Sequence, residues 1–114
     1  MLARPYRLAK TRDFSLIYKR GKRFSGSSLS LAYLKSNQNT PRFGFVVSTK
    51  QVRKIVDRNR LKRILRAETR ELLPRMKPGV DVVVQGRRGA DKATPAQIRE
   101  DLRSLLTKAN LLQK

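Results

Sequence analysis

Apolar and polar residues alternate along two stretches of the chain, residues 28–34 and 42–48. A period of two places successive side chains on opposite faces of a strand, so each stretch is predicted to be a half-buried β-strand. The segment between them, residues 35–41, is rich in Asn, Gln and Ser and ends in Pro41, which is typical of a loop. The sequence therefore predicts that the two strands form an antiparallel hairpin.

A further strand is predicted over Val80–Gln85, where apolar β-branched residues dominate. Such a run is typical of a buried strand. The turn residues Pro78 and Gly79 come directly before it. We also expect a short strand near residues 23–25, ahead of the first alternating stretch.

A central helix is predicted to begin between Val52 and Val56 and to end before Pro74, since proline disfavours helix in the residue ahead of it. At 100° per residue, its residues divide into two sectors. The apolar sector contains Leu61, Ile64, Leu65, Glu68 and Leu72. The opposite sector contains Asn59, Arg63, Arg66 and Arg70. One face of this helix is therefore predicted to be buried and the other to meet an anion.

Two shorter helices complete the predicted set. The first runs over about residues 12–19, with Thr11 as its N-cap. The second starts at Thr94 and Pro95, with Gln97 at the position that closes a capping box. The order of elements, α-β-β-(β)-α-β-α, predicts one sheet with helices packed on it, a single-domain α+β sandwich spanning residues 1–114.

The chain carries 28 Lys and Arg against 8 Asp and Glu, a formal net charge of +20. Such a charge opposes folding through self-repulsion and is typical of proteins that bind a polyanion, nucleic acid above all. A membrane surface is the competing polyanion, but no apolar stretch is long enough to span a bilayer. The first ten residues lack the apolar run of a signal peptide, so we expect a cytoplasmic protein and no membrane partner.

The sequence contains no cysteine and no histidine, which removes thiolate chemistry, imidazole bases and the usual zinc sites. Its eight carboxylates are scattered over predicted helix starts, turns and one strand. A protein-only nuclease with two metal ions needs several convergent carboxylates. We therefore expect neither a catalytic residue nor a metal site in the protein itself.

The central helix favours arginine, whose planar group matches phosphate oxygens, and it has few of the Glu–Lys pairs that a solvated helix uses. A merely solvated face is the alternative interpretation. Asn59 lies among the arginines although asparagine is a mediocre helix former. Gly86 and Gly89, on either side of Arg87 and Arg88, are a weak sequence signal for a backbone concavity that binds phosphate. These patterns together favour contact with nucleic acid.

Four aromatic residues are candidates for stacking on unpaired bases: Phe14 and Tyr18 on the first helix, and Tyr33 and Phe45 on the predicted hairpin. Filling the hydrophobic core is the alternative for each. Spacing alone does not separate the two interpretations.

The run from Lys50 to Arg63, with Arg58-Asn59-Arg60 at its centre, closely resembles the motif of the bacterial ribonuclease P protein subunit. Residues 13–14, residues 42–48 and the stretch from Val82 to Gly89 follow in the order of that family. The resemblance covers nearly the whole chain, and few other small proteins combine this motif with the preceding strand.

The resemblance implies a small basic protein that joins a catalytic RNA and helps it remove 5′ leaders from precursor tRNA. It implies that the RNA carries the chemistry, with Mg²⁺ bound mainly by the RNA. For the fold it implies a mixed four-stranded sheet with three helices, like the second domain of ribosomal protein S5, with a left-handed βαβ crossover.

The site residues predicted from the charge pattern, the aromatic positions and the resemblance form two sets. The RNA-binding set is Lys50, Arg53, Lys54, Arg58, Asn59, Arg60, Lys62, Arg63, Arg66, Arg70, Arg87 and Arg88. The set for a cleft that holds the 5′ leader is Phe14, Tyr18, Tyr33 and Phe45. Two positions depart from the family pattern: Arg53-Lys54 replaces a common Gly-Asn, and Ala32 stands where an aromatic residue is frequent.

Two other functions remain open on the sequence. A structural RNA-binding protein of ribosomal type would show the same charge and lack of catalytic groups. A DNA-binding helix module is less well supported, because no helix-turn-helix pattern is present, and DNA is not the expected partner.

Overall fold

The computed structural model describes residues 2, 4–8 and 10–113. Three helices and four strands form the framework. They are α1 (Thr11–Arg20), β1 (Lys22–Ser25), β2 (Leu29–Lys35), β3 (Arg42–Val46), α2 (Ile55–Leu72), β4 (Val80–Gly86) and α3 (Pro95–Lys108). The predicted α+β class, with one mixed four-stranded sheet and three helices, is confirmed. No helix in these described ranges is long and apolar enough to cross a membrane.

The strands lie in the order β1-β2-β4-β3, so β4 is interior although it comes last in the chain. It pairs antiparallel with β2 and parallel with β3. All its residues except Gln85 are buried. The interior position agrees with the burial that the Val run predicted, although Asp81 on the α1 side of the strand is a buried polar residue.

The predicted hairpin between the two alternating stretches is wrong. β2 and β3 do not pair, because β4 lies between them. The hairpin partner of β2 is instead β1, with Ser25 opposite Ser30 next to the turn. The alternation located both strands correctly. The choice of partner depended on β4, a strand more than thirty residues further along the chain, which pairs with both β2 and β3.

The sheet has helices on both faces. Leu29 and Leu31 of β2 and Val82 and Val84 of β4 face α2 and α3 in the main core. Ala32 and Val83 point the other way and pack under α1, around Ile17. A sandwich of two layers was predicted; the sheet with α2 and α3 forms these two layers, while α1 covers part of the opposite face. The alternation of buried residues along β2 and β4 is what separates these two cores.

The sequence predicted two of the helix ends correctly and one wrongly. α3 begins with the predicted capping box: the Thr94 hydroxyl accepts a hydrogen bond from the Gln97 N–H at 3.1 Å, and the Gln97 side chain accepts one from the Thr94 N–H at 2.9 Å. α2 ends at Leu72, ahead of Pro74 as predicted. The predicted N-cap at Thr11 is wrong, because Lys10 is the cap residue and Thr11 is already helical.

The long helix α2 connects the neighbouring parallel strands β3 and β4. Leu61, Leu65 and Leu72 of its predicted apolar sector are buried, while Ile64 is half-buried. Glu68, also buried, forms an ion pair with Arg103 of α3. A left-handed crossover stays a prediction. The connection places the opposite, basic side of α2 at the surface.

Candidate nucleic-acid interface

The basic side of α2 is open to solvent. Asn59, Arg63 and Arg70 are exposed, and Arg66 is half-buried. The sorting of charges that the helical period predicted is therefore present on the folded molecule. Two other basic residues of the motif, Arg60 and Lys62, are half-buried at its margins.

A basic groove lies where the segment before α2 meets the connection from β4 to α3. Its cationic side chains are Lys50, Arg53, Lys54, Arg88 and Lys92, around a volume of about 520 Å³. The first four were predicted to bind RNA from widely separated parts of the sequence. Lys92 was missed because it stands alone among neutral and acidic neighbours. Asp57 and Asp91 also line the basic groove.

The segment before α2 is held in place by its own backbone and by Arg58. The N–H groups of Gln51 and Val52 donate to the Ser48 carbonyl at 3.2 and 3.0 Å. Val52 is buried, which anchors the segment in the main core. The guanidinium of Arg58 donates to the carbonyls of Val52 and Arg53, at 3.0 and 2.7 Å. Arg58 therefore fixes the backbone that presents Arg53 and Lys54.

The Arg87-Arg88 loop is ordered by contacts with the β1–β2 turn. The Arg87 N–H donates to the Ser28 carbonyl at 2.8 Å, and its guanidinium donates to the Gly26 carbonyl. Gly89 has a φ of +92°, which a residue with a side chain rarely adopts, and it turns the chain into the next segment. Both arginines are exposed and line a second cavity of about 390 Å³, next to the basic groove.

Phe14 and Tyr18 lie on the α1 face of the sheet and pack against the cluster that contains Ala32 and Val83. The Phe14 ring covers Gly44 so closely that a Cβ there would lie 2.5 Å from it. The Tyr18 hydroxyl accepts a hydrogen bond from the Gln85 side chain at 3.1 Å. Burial raises the pKa of Tyr18, and the nearby Arg23 lowers it by a smaller amount. The hydroxyl is therefore neutral at physiological pH.

The structure does not place Tyr33 with these two residues. Tyr33 follows Leu29 and Leu31 on the opposite face of β2, where its ring stacks on Phe24 with centroids 6.3 Å apart. The period of two already assigned Tyr33 to the face of Leu29 and Leu31. The position of α1 on the other face could not be deduced from that period.

Phe45 also points toward the main core and stacks on Phe43. Because β3 is at the sheet edge, however, Phe45 reaches the same cavity as Phe14, of about 270 Å³. Lys62 and Arg66 of α2 line this edge cavity as well. Phe14 and Phe45 are thus connected with the basic side of α2 around the β3 edge. Arg7, which the sequence did not single out, lines the same cavity.

Several carboxylates have partners inside the protein. Arg42 holds Asp81 with two hydrogen bonds of 2.8 and 2.7 Å and lies 3.8 Å from Asp13. The hydrogen bond with Asp81 is the main reason that the pKa of Arg42 is raised. Asp101 accepts hydrogen bonds from the N–H groups of the β1–β2 turn. Across the described residues, no three acidic side chains converge in a way that could hold a metal ion. The arrangement is suited to binding an anion.

Comparison with known proteins agrees with these features. The model of the Ribonuclease P family matches residues 2–110. The ribonuclease P protein component of a Cyanothece species is 38% identical over 128 residues, covering 98% of this chain and 98% of the relative. That of a Pseudanabaena species is 41% identical, covering 98% and 97%.

Solved structures give the same result. The RNase P protein from Staphylococcus aureus superposes with a TM-score of 0.87 at 28% identity, covering 95% of this chain and 98% of that one. The RNase P protein from Thermotoga maritima superposes with a TM-score of 0.80 at 32% identity, covering 90% and 96%. Fold, motif and sequence agree over almost the full length, and the chain belongs to the bacterial ribonuclease P protein family.

Proposed function

We propose that this chain is the accessory protein subunit of a cytoplasmic ribonuclease P, and that it binds the catalytic RNA and the 5′ leader of precursor tRNA. The family match and the continuous cationic surface support this assignment. The basic groove and the exposed side of α2 bind the catalytic RNA. Arg58, which is half-buried, holds the backbone that carries Arg53 and Lys54.

The leader lies on the α1 face. Phe14 and Tyr18 offer half-buried rings there, and unpaired bases stack on such rings without regard to sequence. Lys62 and Arg66 at the edge cavity extend the same surface toward α2 and offer charges for the leader phosphates.

The RNA carries the chemistry, and Mg²⁺ is bound mainly by the RNA. Among residues 2, 4–8 and 10–113, no group of three or more acidic side chains offers a magnesium site. Asp57 and Asp91 are the carboxylates of the basic groove, and they share it with five cationic side chains that oppose a metal ion. The protein's contribution is to reduce the repulsion between RNA phosphates and to hold the leader, which strengthens binding of substrate and of magnesium by the RNA.

Cleavage of a precursor tRNA tests the proposal. The protein alone, its RNA alone at high magnesium and both together at low magnesium are compared. We expect cleavage by the RNA at high magnesium and by the combination at low magnesium. Cleavage by the protein alone, or no rescue at low magnesium, would contradict the proposal.

A structural role in the ribosome is the alternative from another class of function. It is not favoured, because the family match covers residues 2–110 and the relatives named above are ribonuclease P protein components. The RNA that copurifies with the protein distinguishes the two. A single structured RNA is expected, whereas ribosomal species would support the alternative.

A further inference from the structure

A second cationic surface lies at the end of β4 opposite to the Arg87-Arg88 loop. Between β1, the end of β2, the segment before β4 and the end of α3 is a cavity of about 570 Å³. Lys22, Lys35, Lys77 and Lys108 line it, together with the stacked rings of Phe24 and Tyr33. We call these six residues the lysine cleft. We propose that the lysine cleft binds a single-stranded segment of RNA, a proposal that depends on the RNA-binding function proposed above.

Charge is the first observation in support. The four lysines come from four parts of the chain and meet at one cavity, none of whose described lining residues is acidic. No ion pair joins any of them to a described carboxylate. No described ion pair neutralises these four charges, whereas a bound polyanion would neutralise them.

The general reasons for surface lysines do not account for this convergence. Lys108 lies in the last turn of α3, where the helix dipole favours a cation. Lys22 lies on the edge strand β1, where a charge discourages pairing with another sheet. Neither reason applies to Lys35 and Lys77, which the chain brings to the same cavity.

The aromatic pair is the second observation. The rings of Phe24 and Tyr33 are nearly parallel, with an interplanar angle of 11°, and both are half-buried, so part of each stays accessible. Unpaired bases stack on such rings, whereas bases within a duplex are already stacked on each other. A volume of about 570 Å³ is in the range of small-ligand sites, roughly 300–1,000 Å³. Rings beside lysines therefore favour a single strand over a duplex.

The backbone around the lysine cleft is fixed. The Ser36 N–H donates to the Gly79 carbonyl, and the Lys77 N–H donates to the Leu111 carbonyl, each at 2.9 Å.

The lysine cleft lies at the end of β4 that begins with Val80, whereas the Arg87-Arg88 loop follows the other end. Seven strand residues separate the two ends, a distance of roughly 20 Å. The lysine cleft is therefore distinct from the basic groove. It is also distinct from the α1 face, because Phe24 and Tyr33 pack against the main core and not against the cluster under α1.

Directed cleavage in the assembled holoenzyme tests this proposal. The chain has no cysteine, so Lys108→Cys offers one attachment point for an iron chelate that generates hydroxyl radicals. Arg99→Cys, also exposed on α3, is the matched control. We expect RNA cleavage near position 108 at least several-fold above that from position 99. Cuts in the catalytic RNA or in the precursor tRNA identify which of them supplies the strand, and equal cleavage from both positions overturns the proposal.

Oligonucleotide titration of the free protein gives a second test. With a short oligouridylate, we expect the amide resonances of Lys22 and Tyr33 to shift, and Tyr33→Leu to weaken the affinity of this site by about five-fold or more. Tyr33→Phe keeps the ring stack and should keep the affinity. Shifts confined to the α1 face and α2 would refute the lysine cleft. Rescue of precursor cleavage at low magnesium, measured on the same holoenzyme, shows separately whether the proposed function stands.

Discussion

Neighbouring arginines of one motif have different tasks at the scale of single residues. Arg58 donates hydrogen bonds to the carbonyls of Val52 and Arg53, while Arg63, five residues later, is exposed on the opposite side of α2. The sequence grouped both as RNA-binding residues, since residue type and spacing do not reveal which guanidinium folds back onto its own backbone.

Replacing these two arginines should separate stability from binding. Arg58→Ala is expected to lower the free energy of unfolding by about 1–2 kcal/mol, because it removes two hydrogen bonds from a charged donor. Arg63→Ala should leave it within about 0.5 kcal/mol and weaken RNA affinity. Urea unfolding and RNA titration measure the two effects. Equal loss of stability in both variants would contradict the internal role of Arg58.

The raised pKa of Tyr18 predicts a stability change at high pH. A pKa higher in the folded than in the unfolded state means that folding favours the protonated phenol. The contribution is complete below pH 10, the ordinary pKa, and is lost as the pH rises through the folded value. Unfolding measured between pH 8 and pH 11 on the protein and on Tyr18→Phe should show a steeper fall in the unmodified protein. Identical pH profiles would exclude this contribution.

At the scale of elements, the positions of strands and helix ends that depend on neighbouring residues were predicted correctly. The alternation over residues 42–48 located β3, and Thr94 with Gln97 predicted the start of α3. The partner of β2 was not predictable in the same way, because β4 occupies that place from a distant part of the chain. The grouping of Tyr33 with Phe14 failed for a related reason: it required knowing which face of the sheet α1 covers.

The contact between α1 and β3 gives a prediction at this scale. Gly44→Ala should cost about 1–3 kcal/mol and weaken leader binding, because the new Cβ meets the Phe14 ring. The cost should be smaller in a protein that already carries Phe14→Leu, since the smaller side chain can give way. A double-mutant cycle of unfolding free energies measures the coupling. Strictly additive costs would show that the ring and the glycine do not interact.

At the scale of the whole molecule, the net charge of +20 affects folding and binding in opposite directions. Added salt screens self-repulsion in the free protein and should raise its melting temperature. The same salt weakens RNA affinity, because the counterions released on binding gain less entropy when the surrounding salt is more concentrated. Thermal unfolding and RNA titration over one chloride series measure both trends. A melting temperature that is constant or falls with salt would show that self-repulsion does not limit stability.

The interior position of β4 also governs the order in which the molecule can assemble during translation. Residues 80–86 are the last strand to be synthesised, yet they join β2 to β3. Until the ribosome has released them, the nascent chain can form the β1–β2 hairpin and local helices, but not the complete four-stranded sheet. Protease digestion of stalled chains of increasing length should show protection only after β4 has emerged. During most of its synthesis, the cationic nascent chain therefore lacks a complete hydrophobic core while it lies close to ribosomal RNA.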